Sequence, residues 1–536
     1  LFVSDGAGSS NFRGAITPDN WQGERGPTRS GPLPRATWTH VAFTISGSEG
    51  RLYADGEEVA AANDITLKPS EIGGGQTSAN YIGRSPYSAD KLFVGRIKDF
   101  RVYDRALSEA EIAALAAPEE LSEQEKAEAA AERLVVHDIE DVRGNLHLPT
   151  EGEYGASVSW ESSDPEVIRE DGIVSRPANG DGDVTVTLTA TVTVGEATVT
   201  REFQALVREL PPPAPYAGYL FSYFTGEGTA NGEQIYFALS NGNDPLRWHE
   251  LNDGQPVLTS DLGTKGLRDP FIIRSPEGDK FFLIATDLRM FGSNNWDAAQ
   301  RTGSRSIMVW ESTDLVNWTD QRLVRVAPDT AGNTWAPEAY YDPQLGEYVV
   351  FWASSIYGED NPGHTGPLPH NRMLYATTRD FHTFSEPQVW YDPGYAVIDS
   401  TVIEHDGTFY RYTKDERNRG GSAPCGKYIF AERASSLLGN YQFITECIGQ
   451  GSISQGEGPT VFKSNTEERW YMFIDEFGGR GYVPFQTTDL ESGNWSMVAN
   501  YDLPASPRHG PVLPITQAEW TRVQEAYGEE VQPPAV

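Results

Sequence analysis

Five short segments of this chain carry a polar or charged side chain beside a Pro or a small residue and then run into an apolar strand. They are Arg268-Asp269-Pro270-Phe271, Trp335-Ala336-Pro337-Glu338, Ile398-Asp399-Ser400-Thr401, Glu457-Gly458-Pro459-Thr460 and His509-Gly510-Pro511-Val512. Four carboxyl groups and one imidazole are the chemistry they offer. Carboxyls that meet in one pocket can divide the work of general acid and general base, provided their surroundings push their pKa values apart. Taken singly, Asp269 and Asp399 read equally well as turn residues, and Glu457 as a solvated loop residue.

The segments recur roughly every 50–70 residues, a period that points to a propeller or another repeat architecture. After each of the first four come an aromatic strand, a third strand and a polar closing segment, which makes a four-stranded blade. The fifth segment, His509 to Ile515, has no blade after it. Conversely, Gly218–Tyr223, Gln234–Leu239 and Trp248–Leu251 read as three strands with no inner strand before them. Joining the two ends completes a fifth blade and leaves no open edge at the seam. Residues 215–525 therefore read as a five-bladed β-propeller, with the carboxyls at the starts of the inner strands and hence at one mouth of the central channel.

The rest of the chain reads as all-β with helical joints. Residues 1–115 resemble part of a laminin-G-like, concanavalin-like jelly roll. Strands are expected at Trp38–Thr44, Arg51–Glu57 with an Asp55-Gly56 turn, Tyr81–Arg84 and Phe93–Tyr103, and a short helix after an N-cap at Ser108. The first strands of that fold are expected to be missing, because the text starts in mid-motif at Leu1. Residues 116–133 read as a helical linker. Residues 134–210 alternate strongly and resemble a bacterial immunoglobulin-like sandwich with the role of a spacer. The Pro-rich stretch 211–215 is a stiff boundary, and 526–536 a C-terminal tail.

Net charge is −35, so a phosphate backbone is an unlikely ligand and nucleic acid is not expected as a partner. No segment is long and apolar enough to span a bilayer as a helix. The two cysteines, Cys425 and Cys447, flank a hairpin and are expected to form a disulfide, which fits a secreted or surface-attached setting.

The order of the motifs resembles glycoside hydrolase family 43. Asp269-Pro270, Trp335 to Glu338, Ile398-Asp399, Glu457 to Pro459 and Arg508 to Gly510 occur in that family's sequence, across nearly the whole of 215–525. The resemblance implies an inverting hydrolase, with Asp269 as general base, Asp399 as pKa modulator and Glu457 as general acid. Cleavage of a glycosidic bond needs one carboxylic acid for the leaving oxygen and one carboxylate for the attacking water. A third carboxylate near the acid would raise its pKa and keep it protonated. Glu338 stands where the family often has Asp and reads as a substrate-contacting or structural carboxylate. The resemblance also places His509 near an axial ion or water cluster; an ion there would be a structural calcium or sodium, and the chemistry itself requires no cofactor. Trp296, Trp335 and Phe477 are candidates for stacking on a sugar face, and Arg268 and Arg305 for contacts to sugar hydroxyls or to the acidic cluster.

The expected substrate is an oligo- or polysaccharide, with α-L-arabinofuranose from a plant cell-wall polymer as the leading choice. β-Xylosidase or xylanase, endo-arabinanase and exo-galactanase action are the alternatives within the family. A carbohydrate-binding protein without activity is the alternative of another class.

Overall fold

The computed structural model describes residues 2–4, 11–17, 23–34, 37–68, 70–71, 81–83, 95–117 and 121–528. The chain divides into two compact units, Leu1–Ser122 and Glu123–Val536.

In the first unit, Val41–Ser46, Glu49–Ala54 and Glu57–Ala62 form one antiparallel sheet and Phe2–Ser4, Phe12–Ala15 and Thr28–Arg29 another. Asp55 and Gly56 both have positive φ, 48° and 84°, as a tight hairpin turn demands. Ser108 caps the helix Glu109–Ala116 in a reciprocal box with Glu111, and Ile112 is the side chain this helix buries. The strands expected at 81–84 and 93–103 are not found where the chain is described: 81–83 and 95–103 carry no strand. Ile97, Phe100 and Val102 are exposed. Alternation alone does not make a strand when no neighbouring strand takes up its backbone groups. Residues 84 and 93–94 lie outside the described residues.

The second unit begins with the helix Glu123–Arg133. This stretch, expected to be a linker, buries Ala127, Ala130 and Ala131 in the same core as Val158, Trp160, Leu188 and Val192. The strands Glu151–Gly152, Ala156–Ser162, Val184–Val194 and Ala197–Val207 make one four-stranded sheet. The helix covers one of its faces, so the immunoglobulin-like domain is a sheet roofed partly by a helix rather than two full sheets.

This domain is also not a free spacer. Asp279 of the propeller accepts from Arg143 and from Arg176, each at 2.6 Å, and Arg176 is only 1% exposed. Lys280 bonds Asp138 at 2.6 Å and Glu311 at 2.7 Å, and His137 stacks on His382 at 3.8 Å. Removing the buried Arg176 takes one of two cations from Asp279 and the donor from the Arg208 and Glu209 carbonyls. The Arg176→Met protein is therefore expected to lose about 3 kcal/mol of stability or more, read as a fall in urea midpoint. A midpoint equal to the parent's would mean that the contact contributes nothing.

The propeller consists of five four-stranded antiparallel sheets. The inner strands of blades 1 to 4 are Leu267–Arg274, Trp335–Asp342, Val397–His405 and Glu457–Lys463. Blade 5 is the seam. Its inner strand Val512–Thr516 pairs with Tyr216–Tyr223, in the register Phe221↔Val512, Leu220↔Leu513, Tyr219↔Pro514. This is the closure expected from the repeat. It brings the last motif next to the first and completes the ring of inner strands. Cys425 and Cys447 are joined, with Cα atoms 4.7 Å apart.

Candidate active site

Each of the first four inner strands has the same irregularity near its start. The pairing register shifts between Arg268 and Phe271, Trp335 and Glu338, Ile398 and Ser400, and Glu457 and Thr460. At the shift stands a residue with positive φ: Asp269 at 46°, Ala336 at 48°, Asp399 at 53° and Gly458 at 51°. A bulge of this kind turns a side chain away from the alternation of the strand. In three of the four strands the next residue is Pro, which has no N–H to lose from the ladder. The bulges explain why the carboxyls leave the blade sheets and face the channel. They also show that the four carboxyls are not equivalent. Asp269 and Asp399 sit on the left-handed residue itself, Glu457 one residue before it, and Glu338 two residues after it. A left-handed backbone at a non-Gly residue carries strain that a surrounding structure must hold.

What holds it is a ring of polar links between neighbouring blades. Thr286 donates its hydroxyl to Asp269 Oδ2 at 2.9 Å and accepts from the Ala336 N–H at 2.8 Å, tying blade 1 to blade 2. Thr401 bonds the Glu338 carboxyl, from blade 3 to blade 2. The Gly458 N–H donates to Asp399 Oδ2 at 3.0 Å, from blade 4 to blade 3. The Tyr482 hydroxyl donates to the Gly458 carbonyl and accepts from the Gly510 N–H, both at 2.8 Å, joining blade 4 to blade 5. His509 closes the ring with Nδ1 3.4 Å from Asp269 and Nε2 3.5 Å from Glu338. Gly458 has to be glycine: a Cβ there would lie 2.6 Å from the His509 ring.

The charges within this ring are set by burial and by neighbours. Burial alone would raise Asp269, but His509 and Arg268 outweigh it and hold the carboxyl below its ordinary range. Burial opposes a charge on His509, yet Asp269 and Glu338 keep the ring protonated well above the usual histidine value. Glu338 is raised, by burial first, with His509 pulling the other way. Burial also pushes Asp399 up, to about 7, against His509 and Lys414. Glu457 goes the opposite way. Burial would raise it, but Lys414 and Arg508 pull it down to about 2. The expectation that a nearby carboxylate raises Glu457 is thus reversed in direction. Two cations reach Glu457, and the carboxyl left protonated near neutrality is Asp399.

Of those cations Arg508 belongs to the last motif, and Lys414 lies outside the motifs. Lys414 Nζ lies 2.6 Å from Glu457 Oε2, and Arg508 Nη2 lies 2.8 Å from Oε1. Arg508 also bonds Asp475, which is fully buried and pushed up to about 6 by that burial. Lys414 and Asp475 close the second strands of blades 3 and 4, Thr408–Asp415 and Trp470–Glu476. Those strands run antiparallel to the inner strands, so their ends meet the inner strands' starts. The clue in sequence is a charged tail on an apolar strand, as in Tyr412-Thr413-Lys414-Asp415 and Phe473-Ile474-Asp475-Glu476.

The remaining candidates fall in different places. Trp296 opens the helix Trp296–Arg301, is 42% exposed and packs edge-on against Trp335 with ring centres 6.3 Å apart. Arg268 lies over the Trp296 ring at 5.2 Å, but its bonds go to Glu227 at 3.0 Å and Glu233 at 2.9 Å, so it is tied into the wall of the mouth. Phe477 lies under Lys414, 4.5 Å from the ammonium. Arg305 is not brought to the acidic cluster; it bonds the carboxylate and the carbonyl of Asp329. Among the described residues no three His, Cys, Asp or Glu side chains converge as a metal site, and the protonated ring already supplies positive charge between Asp269 and Glu338.

Residues 214–521 match the profile of a glycosyl hydrolase 43-related family described as "Probable glycosyl hydrolase domain". Residues 125–210 match the "Atrophied bacterial Ig domain" and residues 2–113 the "Concanavalin A-like lectin/glucanases superfamily". An alpha-L-arabinofuranosidase of Bifidobacterium longum subsp. longum is 34% identical over 404 residues, covering 65% of this chain and 37% of that protein. The chain thus spans little more than a third of that relative's length. Among solved structures, it is similar to a thermostable family-43 glycoside hydrolase, with 19% identity and a TM-score of 0.33 over 46% of this chain and 77% of that one. It is also similar to an exo-1,5-alpha-L-arabinanase from a bovine ruminal metagenomic library, with 13% identity and a TM-score of 0.37 over 54% and 97%.

Proposed function

The chain belongs to the family of glycosyl hydrolase domains related to family 43, and from that premise we propose that it hydrolyses glycosidic bonds with inversion, releasing L-arabinofuranose from a plant polysaccharide. The observation that carries this reading is the meeting of Asp269, Asp399 and Glu457 around the His509–Gly458 contact, each from a different blade. Asp269 is the base: its carboxylate is held ionised, and its side chain keeps 17% of its surface open. Glu457, with 20% open, is the acid that meets the leaving oxygen. Asp399 lies deeper and, bonded to the Gly458 N–H, positions the strand start that carries Glu457. The sugar assigned rests on the arabinofuranosidase relative.

In the reaction, Asp269 takes a proton from a water molecule as the oxygen attacks the anomeric carbon. The glycosidic bond breaks as Glu457 gives its proton to the leaving oxygen. Trp296 and Trp335 form the aromatic rim on which the apolar face of the sugar rests. An extracellular or surface-attached setting agrees with the disulfide, and no helix among the described residues is long and apolar enough to cross a membrane.

A panel of aryl glycosides tests the substrate class. Release of the phenol from the α-L-arabinofuranoside, at least about tenfold faster in kcat/KM than from the β-D-xyloside or β-D-galactoside, is expected. Preference for the xyloside would move the assignment to the xylosidase alternative. No release from any member would leave a carbohydrate-binding protein.

A further inference from the structure

Glu457 presents a conflict between place and charge. It stands where the leaving oxygen must arrive, yet each of its oxygens is bonded to a cation. The two cations are held differently. Arg508 is fixed, bonded through Nε to Asp475, with Nη1 3.8 Å from Glu227. Lys414 is shared. Its ammonium lies 2.6 Å from Glu457 Oε2 and equally 2.6 Å from Glu416 Oε2. Glu416 is held in place by its neighbour Lys427. The lysine is 2% exposed, and the Phe477 ring lies beneath its ammonium. A point charge on a flexible stem can move between two carboxylates without leaving its site, which a guanidinium fixed at both ends cannot do.

We propose that Lys414 is a positioning residue for Glu457: it holds Oε2 and, when the glycosidic oxygen arrives, shifts fully onto Glu416 and frees that oxygen of Glu457 to carry the proton. The inference rests on the hydrolase reading and names the device by which that site is switched on. The proton balance follows. With the ammonium withdrawn, Glu457 takes up one proton from solvent and delivers it to the leaving oxygen. The groups facing Glu457 are Lys414, Arg508, Asp475, Asp399 and, further off, Arg268. Of the two cations that bond Glu457, Arg508 is also bonded through Nε to Asp475, whereas Lys414 reaches its second carboxylate, Glu416, with the same ammonium.

The test is the pH dependence of kcat/KM on an aryl α-L-arabinofuranoside for three variants of the full chain. Lys414→Met removes the charge and is expected to move the basic limb up by about one pH unit, a tenfold change in proton affinity. Lys414→Arg keeps the charge and is expected to leave the limb within a few tenths of the parent's. Glu416→Gln removes the landing place; kcat is expected to fall about fivefold with KM little changed. Titration of the Glu457 carboxyl by 13C NMR, identified from its loss in Glu457→Gln, reads the same coupling without turnover. An unmoved limb and an unmoved carboxyl titration in Lys414→Met would overturn the proposal, as would an equal shift in Lys414→Arg. If the parent turns over no aryl glycoside, the hydrolase reading fails and the proposal with it, whatever the carboxyl titration shows. A Lys414→Met protein that does not fold leaves the decision to Glu416→Gln, where an unchanged kcat would be decisive against it.

Discussion

The Asp269→Asn protein is expected to turn over an aryl α-L-arabinofuranoside at least about a hundredfold more slowly than the parent, within the 10²–10⁴ range of general-base catalysis. The substitution changes little else. An amide oxygen still accepts the Thr286 hydroxyl, which ties blade 1 to blade 2, and Asn tolerates the left-handed backbone that position 269 requires. What disappears is the negative charge beside His509. The loss should therefore appear in kcat with KM little altered, since the base acts on water in the transition state and not on the bound sugar. Steady-state kinetics with melting temperature as a control measure it. A rate within about threefold of the parent's, in a protein that melts normally, would remove Asp269 from the role of base.

The second large effect is at Glu457. Glu457→Gln should cost about 10²–10⁴ in rate on a methylumbelliferyl glycoside. On a dinitrophenyl glycoside, whose leaving group departs without a proton, the loss should be at least about tenfold smaller. A purely structural role would slow both substrates alike. The variant also leaves Lys414 and Arg508 with less negative charge opposite them. Glu416 and Asp475 remain as partners, so the fold should survive, and near-equal melting temperatures would show it. Equal losses on the two substrates would reassign the proton donor, and Asp399, raised to about 7 by burial, would be the carboxyl to examine next.

The propeller was readable because its repeat is written in residues that have few other uses. A small residue or Asp followed by Pro marks four of the five inner strands, Asp399-Ser400 standing in the other, and the unpaired fifth inner strand announced the seam between Val512–Thr516 and Tyr216–Tyr223. The disulfide was readable from hairpin geometry. The charge state of the site was not. It depends on Lys414 and Arg508 reaching Glu457, and Lys414 comes from a second strand whose register against Val397–His405 includes a bulge between Ile398 and Ser400. A one-residue slip there would turn Lys414 away, so spacing alone could not place it. Arg305 shows the reverse failure: a positive charge in the right stretch of chain bonds Asp329 instead. In the first unit, alternation at 93–103 suggested a strand because sequence shows a candidate face without showing whether another strand lies alongside it. The linker helix was misjudged for a similar reason. Its alanines Ala127, Ala130 and Ala131 are small enough to look neutral in sequence, and that smallness is what lets the helix sit close on the sheet.

The central claim is that Asp269 activates water on one face of the sugar while Glu457 serves the leaving oxygen on the other. Proton NMR of the sugar released from an aryl α-L-arabinofuranoside, recorded before the anomers equilibrate, tests it most directly. The β-anomer is expected to appear first, as displacement by water in a single step requires. First appearance of the α-anomer would mean a covalent intermediate and two displacements, and would contradict it.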